Sequence, residues 1–183
     1  DKVFGKNSVK TVTEMRKKLS EDFVKQFQNQ VDQKLMNDTI EYLIDSTKIN
    51  LPAEFLIKWM KLSSEKKITI DEAKAEYEKS EKSMRYQLIE GKLIETHNLQ
   101  VTFDDLKDFA KQMIKVQMAQ FGQMNPSDKE LDDIAARILS NKDEIKRLSE
   151  QLMSQKLLEL YKKEANLKVK EITYDDFVKE FYS

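Results

Sequence analysis

The stretch Val9–Pro52 reads VKTVTEMRKKLSEDFVKQFQNQVDQKLMNDTIEYLIDSTKINLP, and its spacing decides the fold class. Met15, Leu19, Phe23, Phe27, Val31 and Leu35, then Ile40, Leu43 and Ile44, recur at the three- and four-residue intervals of a helix face. That period lays one apolar stripe along an otherwise polar helix. The spacing predicts a helix from about Val12 to Thr47, which at 1.5 Å per residue would be roughly 54 Å long. A compact ball of this chain length has a diameter of only roughly 41 Å, so an elongated molecule is expected.

Composition outside this stretch agrees with helices. The chain has 183 residues, of which 39% are hydrophobic and 36% charged, with only three glycines and two prolines. All-β folds consume Gly and Pro in their many turns, so their scarcity favours few turns and long elements. There is no cysteine, which removes disulfides, thiolate metal sites and a cysteine nucleophile, and suits a reducing cytoplasm. No apolar run approaches the ~20 residues of a membrane helix. The net charge of −1, with both signs interspersed, argues against a nucleic-acid binder. The densest basic group, Lys10 with Arg16, Lys17 and Lys18, reads as a solvated helix start. The chain opens at Asp1 without a methionine, so a fragment lacking its own N-terminus is expected.

Helix starts are legible as capping boxes, in which a Ser or Thr and a Glu three residues later satisfy each other's backbone N–H. Thr11/Glu14, Thr69/Glu72 and Ser127/Glu130 fit, Asn141/Glu144 is a close relative, and Thr102/Asp105 and Thr173/Asp176 are weaker versions. Pro52 suits a first helical position. The remaining helices are expected over Pro52 to about Glu65, Ile70–Thr96, Phe103–Phe121, Asp128–Ser140, Lys142–Ala165 and a short one from Tyr174. Gly91 falls inside the third of all these helices, where it costs ~1 kcal/mol against Ala, so close packing with another helix is expected there. Leu93–Leu106 (LIETHNLQVTFDDL) and Leu160–Phe177 (LYKKEANLKVKEITYDDF) resemble each other. The simplest account is one helix-turn-helix solution used twice.

A catalytic constellation cannot be assembled. His97 is the only histidine, at a helix end beside Thr96 and Asn98, with no partnered nucleophile or further ligand in the sequence around it. The acidic pairs Asp104/Asp105, Asp132/Asp133 and Asp175/Asp176 each fall in a first helical turn, where the helix dipole favours them. No glycine-rich phosphate loop is present. The expectation is no catalytic residue, no metal and no cofactor.

The helices carry more apolar surface than a tidy bundle needs. On Phe103–Phe121 the apolar set runs from Val116 through Phe109, Met113, Leu106, Ala110, Phe121 and Ile114 to Met118. It covers about 200° of the circumference, against a stripe a little over ~100° on ordinary core-facing helices. Phe55, Leu56, Ile57, Trp59, Met60 and Leu62 wrap the segment after Pro52 in the same way. One reading is burial on two sides; the other leaves the edges of these arcs exposed. The eight methionines, with Gln112, Gln117, Gln120 and Gln123 between apolar positions, favour an adaptable surface.

Three stretches in register resemble the C-terminal domain of bacterial trigger factors: Val9–Pro52, running into Ile-Asn-Leu-Pro; Met84–Lys107 (MRYQLIEGKLIETHNLQVTFDDLK); and Asp143–Phe181. The resemblance covers essentially the whole chain. It implies an all-α domain with a long N-terminal helix and two protruding helical arms that hold unfolded or nascent polypeptides without ATP. The organisation it implies is 1–51 linker helix and body, 52–92 first arm, 93–165 second arm and body, and 166–183 a C-terminal turn and short helix. The arm tips would lie near Leu62–Tyr77 and Phe121–Ile145. Nothing here resembles the family's ribosome-binding loop or its FKBP-like prolyl isomerase domain, so any ribosome contact would run through a further N-terminal domain. Expected partners are unfolded chains in the cytoplasm, with a homodimer compatible and with no nucleic acid or membrane. Phe55, Trp59, Met113, Val116, Met118, Phe121, Met124 and Ile138 are the expected client contacts, Met118 and Phe121 foremost. Two alternatives stand beside this reading: a helical scaffold with one dedicated partner, and a periplasmic parvulin-linked chaperone domain.

Overall fold

A computed structural model describes residues 11–168, 170 and 172–182. Its described residues form seven helices and no strand: α1 Val12–Ser46, α2 Ala53–Ser63, α3 Ile70–Thr96, α4 Phe103–Gln120, α5 Asp128–Ile138, α6 Lys142–Glu164 and α7 Tyr174–Tyr182. The expected all-α class holds. Lys10, at the head of the basic group, and Val169 and Glu171, in the second copy of the internal repeat, lie outside the described residues.

Six of the seven described starts follow from side-chain caps; at the other, Pro52 is the N-cap of α2 and not its first helical residue, which is Ala53. Thr69 N–H donates to Glu72 Oε2 at 2.7 Å while Glu72 N–H donates to Thr69 Oγ1 at 3.2 Å. Thr102/Asp105, Ser127/Glu130 and Thr11/Glu14 close the same reciprocal box. Asn141 Oδ1 accepts from the N–H groups of Asp143 and Glu144, and Thr173 Oγ1 from that of Asp176. Each cap satisfies donors that α-helix geometry leaves orphaned, at about 1 kcal/mol per cap. Ends are less fixed: α4 stops at Gln120 rather than Phe121, and α5 at Ile138 rather than Ser140. Asp132 and Asp133, expected in a first turn, fall in the second turn of α5, whose first-turn acids are Asp128 and Glu130.

Two of the ends are Schellman motifs. After α4, Gly122 takes φ +87, its N–H bonds Ala119 O, and Gln123 N–H bonds Met118 O. After α3, Asn98 takes φ +49 in the same role, with Leu99 N–H on Ile94 O. Asn is one of the few residues other than Gly that enters this region readily. Among the described residues no other non-glycine residue has a positive φ, so the second copy of the internal repeat does not reuse that turn at Asn166. Gly91 corrects an expectation. A Cβ built on it meets nothing within 4 Å, so no helix approaches it closely.

The chain divides into two compact units, one running to Tyr42 and resuming at Leu167, the other spanning Leu43–Asn166. In the first, the Phe27 ring stacks on Phe23 at 6.4 Å and meets Phe177 of α7 edge-on at 6.1 Å. Beside them Val31, Leu35 and Ile172 line an open groove of about 820 Å³.

The second unit is built on α2 against α3 and on α4 against α5 and α6. Its core is Leu106, Ala110 and Ile114 of α4, Leu131 and Ala135 of α5, Leu139, and Leu148 and Leu152 of α6. Lysines pin the layers. Lys107 and Lys111 each reach Asp132 at 3.0 Å, and these two hydrogen bonds, Lys107's first, hold that carboxyl below its ordinary pKa. Lys156 Nζ donates to Gln100 O at 2.8 Å and to Asp105 Oδ2 at 2.9 Å, fastening α6 to the turn that opens α4.

Candidate functional site

The eleven residues of α2, AEFLIKWMKLS, carry apolar side chains nearly all round, yet the helix has one principal neighbour. Ala53, Leu56, Ile57 and Met60 are half-buried and share the face turned to α3. Phe55, Trp59 and Leu62 follow at i, i+4 and i+7, which gathers them within about 60° on the opposite face. They are 64%, 54% and 84% exposed, and no residue of α2 is fully buried. The helix therefore has a packed side and an apolar outer side. Ser63 Oγ closes its last turn on Trp59 O at 2.8 Å.

A second surface grows from α4. Leu106, Ala110 and Ile114 are buried, and the adjoining flank is Phe109, Met113 and Val116, with Met113 and Val116 exposed. Where α4 ends, the Schellman turn at Gly122 sends the chain away and leaves Phe121 83% exposed, followed by exposed Met124. From Val116 to Ser127 the sequence VQMAQFGQMNPS holds no charged residue, in a chain that is 36% charged. Glutamines at 117, 120 and 123, all exposed, offer hydrogen bonds without a fixed charge.

The expected contact residues divide. Phe55 and Trp59 lie on the outer face of α2, and Met113, Val116, Phe121 and Met124 along and beyond α4. Met118 and Ile138 are half-buried and pack on the core shared by α4, α5 and α6, which makes them part of its wall. Leu62 is the omission among the expected contacts, although its i+3 and i+7 relation to Trp59 and Phe55 could have flagged it. His97 is the exposed C-cap of α3. Among the described residues no group of three or more His, Cys, Asp or Glu side chains is placed to hold a metal.

Electrostatics add no reactive group to these surfaces. The shifted carboxyls are accounted for locally: Glu72 and Glu130 are lowered chiefly by the backbone N–H groups of Thr69 and Ser127. Burial raises Glu90, on α3, and the phenols of Tyr86 and Tyr161, which meet at 3.2 Å between α3 and α6. No described helix is long and apolar enough to cross a membrane. What the geometry offers is binding area: apolar faces on two helical hairpins, α2–α3 and α4–α5, with no described neighbour over them.

Comparison with curated proteins and with solved structures gives no match. The family described as "Probable trigger factor, C-terminal domain" matches residues 31–181, a span that takes in both hairpins, α6 and nearly all of α7. The chain belongs to the trigger factor C-terminal domain family, the chaperone module of those proteins and not their prolyl isomerase domain.

Proposed function

We propose that this chain is an ATP-independent chaperone module that holds unfolded or nascent polypeptides on the outer apolar faces of its two hairpins. The observation that carries the reading is the α2 stripe. Phe55, Trp59 and Leu62 are large, contiguous at helical spacing, and turned away from α3, the principal neighbour of α2 among the described residues. Singly exposed apolar residues are ordinary, but a contiguous row of this size marks an interaction surface. Met113, Val116, Phe121 and Met124 supply a second surface, with flexible and uncharged neighbours suited to varied sequences.

Magnitudes favour a loose hold. Fully burying a Phe, Trp or Leu side chain gains about 1.5–3 kcal/mol. These three are already partly covered, so a gross gain of about 5 kcal/mol is set against ordering and association costs of similar size. One hairpin alone then binds weakly and releases readily. A client that engages both gains through effective concentration instead of through a deeper pocket. The working place of such a module is the cytoplasm. Ribosome contact belongs to an N-terminal domain of the kind trigger factors carry.

The test is a titration of the chain with several unrelated, permanently unfolded proteins, following its amide resonances and the light scattering of an aggregating client. Shifts clustered on α2 and on 113–124, with suppressed aggregation for most clients, support the reading. A well-folded chain that ignores every unfolded client would instead point to a scaffold with one dedicated partner.

A further inference from the structure

The two apolar surfaces differ in charge, and that difference carries a specificity. At the end of α4 and along its turn, Val116, Phe121 and Met124 sit in a run, 116–127, without a single charge. On α2 the stripe has cations beside it. At 100° per residue Lys58 lies next to Leu62 on the outer face and Lys61 one step further round, with Glu54 on the same side a turn earlier. The turn that follows adds Glu65, Lys66 and Lys67. All six side chains are exposed. None of the four lysines is in an ion pair among the described residues. Asp71 and Glu72, in the first turn of α3, belong to the helix that packs on the opposite face of α2. Glu72 is moreover engaged by Thr69 in its capping box.

The geometry points to a client preference at this hairpin: the α2 face takes extended apolar segments flanked by Asp or Glu, while the charge-free turn after α4, 116–127, offers client charge no fixed partner. The preference rests on the client-binding reading above and adds to it. An aromatic or aliphatic side chain of the client covers Phe55, Trp59 and Leu62, and its acidic neighbours then lie beside Lys58 and Lys61. Exposed charge pairs are individually small, so the expected discrimination is on the order of threefold in Kd, and it is screened by salt. Its larger effect is on encounter, since an attractive rim steers acidic segments to this face first.

Trp59 is the only tryptophan in the chain, and it sits within the stripe, so its fluorescence reports on this face alone. Three tryptophan-free peptides share one apolar core and differ only in flanks of Glu, Ser or Lys. Each is titrated at low salt and at about 0.5 M NaCl, where charge interactions beyond a few ångströms are screened. The expected order at low salt is Glu tighter than Ser tighter than Lys, converging at high salt. The double variant Lys58→Glu/Lys61→Glu is expected to reverse the order. If all three peptides move Trp59 with equal affinity, or the Lys-flanked one binds tightest, the preference is overturned while the client-binding reading stands. If none of them moves Trp59, client binding at this face fails and the preference goes with it. The wild-type series and its salt dependence decide the matter even if the double variant folds poorly.

Discussion

The phenol oxygens of Tyr86 and Tyr161 lie 3.2 Å apart and join the middle of α3 to the end of α6 across 75 residues of sequence. Burial, ahead of every other cause, raises the pKa of both phenols, and Glu90 on α3 adds to the rise through its charge. A group whose folded pKa is raised stabilises the fold fully below its unfolded value and loses that contribution as pH climbs through the folded one. For these tyrosines the loss therefore begins above about pH 10. Urea midpoints measured across the alkaline range should fall there for the wild type and stay flatter for the double variant Tyr86→Phe/Tyr161→Phe. An equal alkaline decline in both proteins would show that the pair is not responsible.

The two described glycines predict opposite outcomes for one substitution. Gly91 is an exposed helical residue with open space where a Cβ would go, so Gly91→Ala should stabilise by about 0.5–1 kcal/mol through helix propensity and a less flexible unfolded chain. Gly122 also has open space around it, but its φ of +87 is strained for an L side chain. Gly122→Ala should destabilise by about 1 kcal/mol. Thermal melts of both variants check the signs together, since steric room is the same in each and only the backbone conformation differs.

That contrast also marks how far the sequence reaches. Caps are local chemistry, so Thr69/Glu72, Thr102/Asp105 and Ser127/Glu130 are legible from residue types and spacing alone, and each closes where it is expected. The empty space around Gly91 depends on where other helices run, and no local signal carries that. The arcs on α2 and α4 are equally visible, but periodicity gives the width of an apolar face and not the number of neighbours that cover it. On α4 the arc splits. Met118 at one edge joins the core, and Val116 at the other stays exposed. On α2 the half that holds Phe55, Trp59 and Leu62 is the uncovered one. The partnership of Phe27 with Phe177 is out of reach for the same reason, because 150 residues separate two ordinary stripes.

Acid should act in two stages. Glu90 is raised by burial, so its charged form opposes folding, and that penalty is relieved as pH falls through its raised folded value. Glu72, Asp105, Glu130 and Asp132 are lowered, the first three chiefly by backbone N–H groups in their caps and Asp132 chiefly by Lys107. Their stabilisation is complete above their unfolded values of 4.5 for Glu and 3.8 for Asp and is lost as pH falls through the lowered folded ones. Urea midpoints should therefore hold or rise slightly on mild acidification and then drop below about pH 4. Glu90→Gln should abolish the rise and keep the drop. A monotonic fall from neutrality in the wild type would contradict the role given to Glu90.

Core and client surface can be separated at one helix end. Met118 packs on the cluster formed by Leu106, Ala110 and Ile114, and Phe121, three residues on, is 83% exposed as the C-cap. Met118→Ser removes half-buried apolar volume and should cost roughly 1–3 kcal/mol of stability. Phe121→Ser removes almost nothing from the fold and should leave stability within about 0.5 kcal/mol. For binding the order reverses. Phe121→Ser with Met124→Ser should weaken unfolded-client affinity by about tenfold, the loss of roughly 1.4 kcal/mol from two truncated contacts. Phe55→Ser with Trp59→Ser should do the same at the other hairpin. Melting curves and client titrations on the same protein stocks give both numbers. Full client affinity in both exposed double variants, with folds intact, would leave these faces without a role in binding.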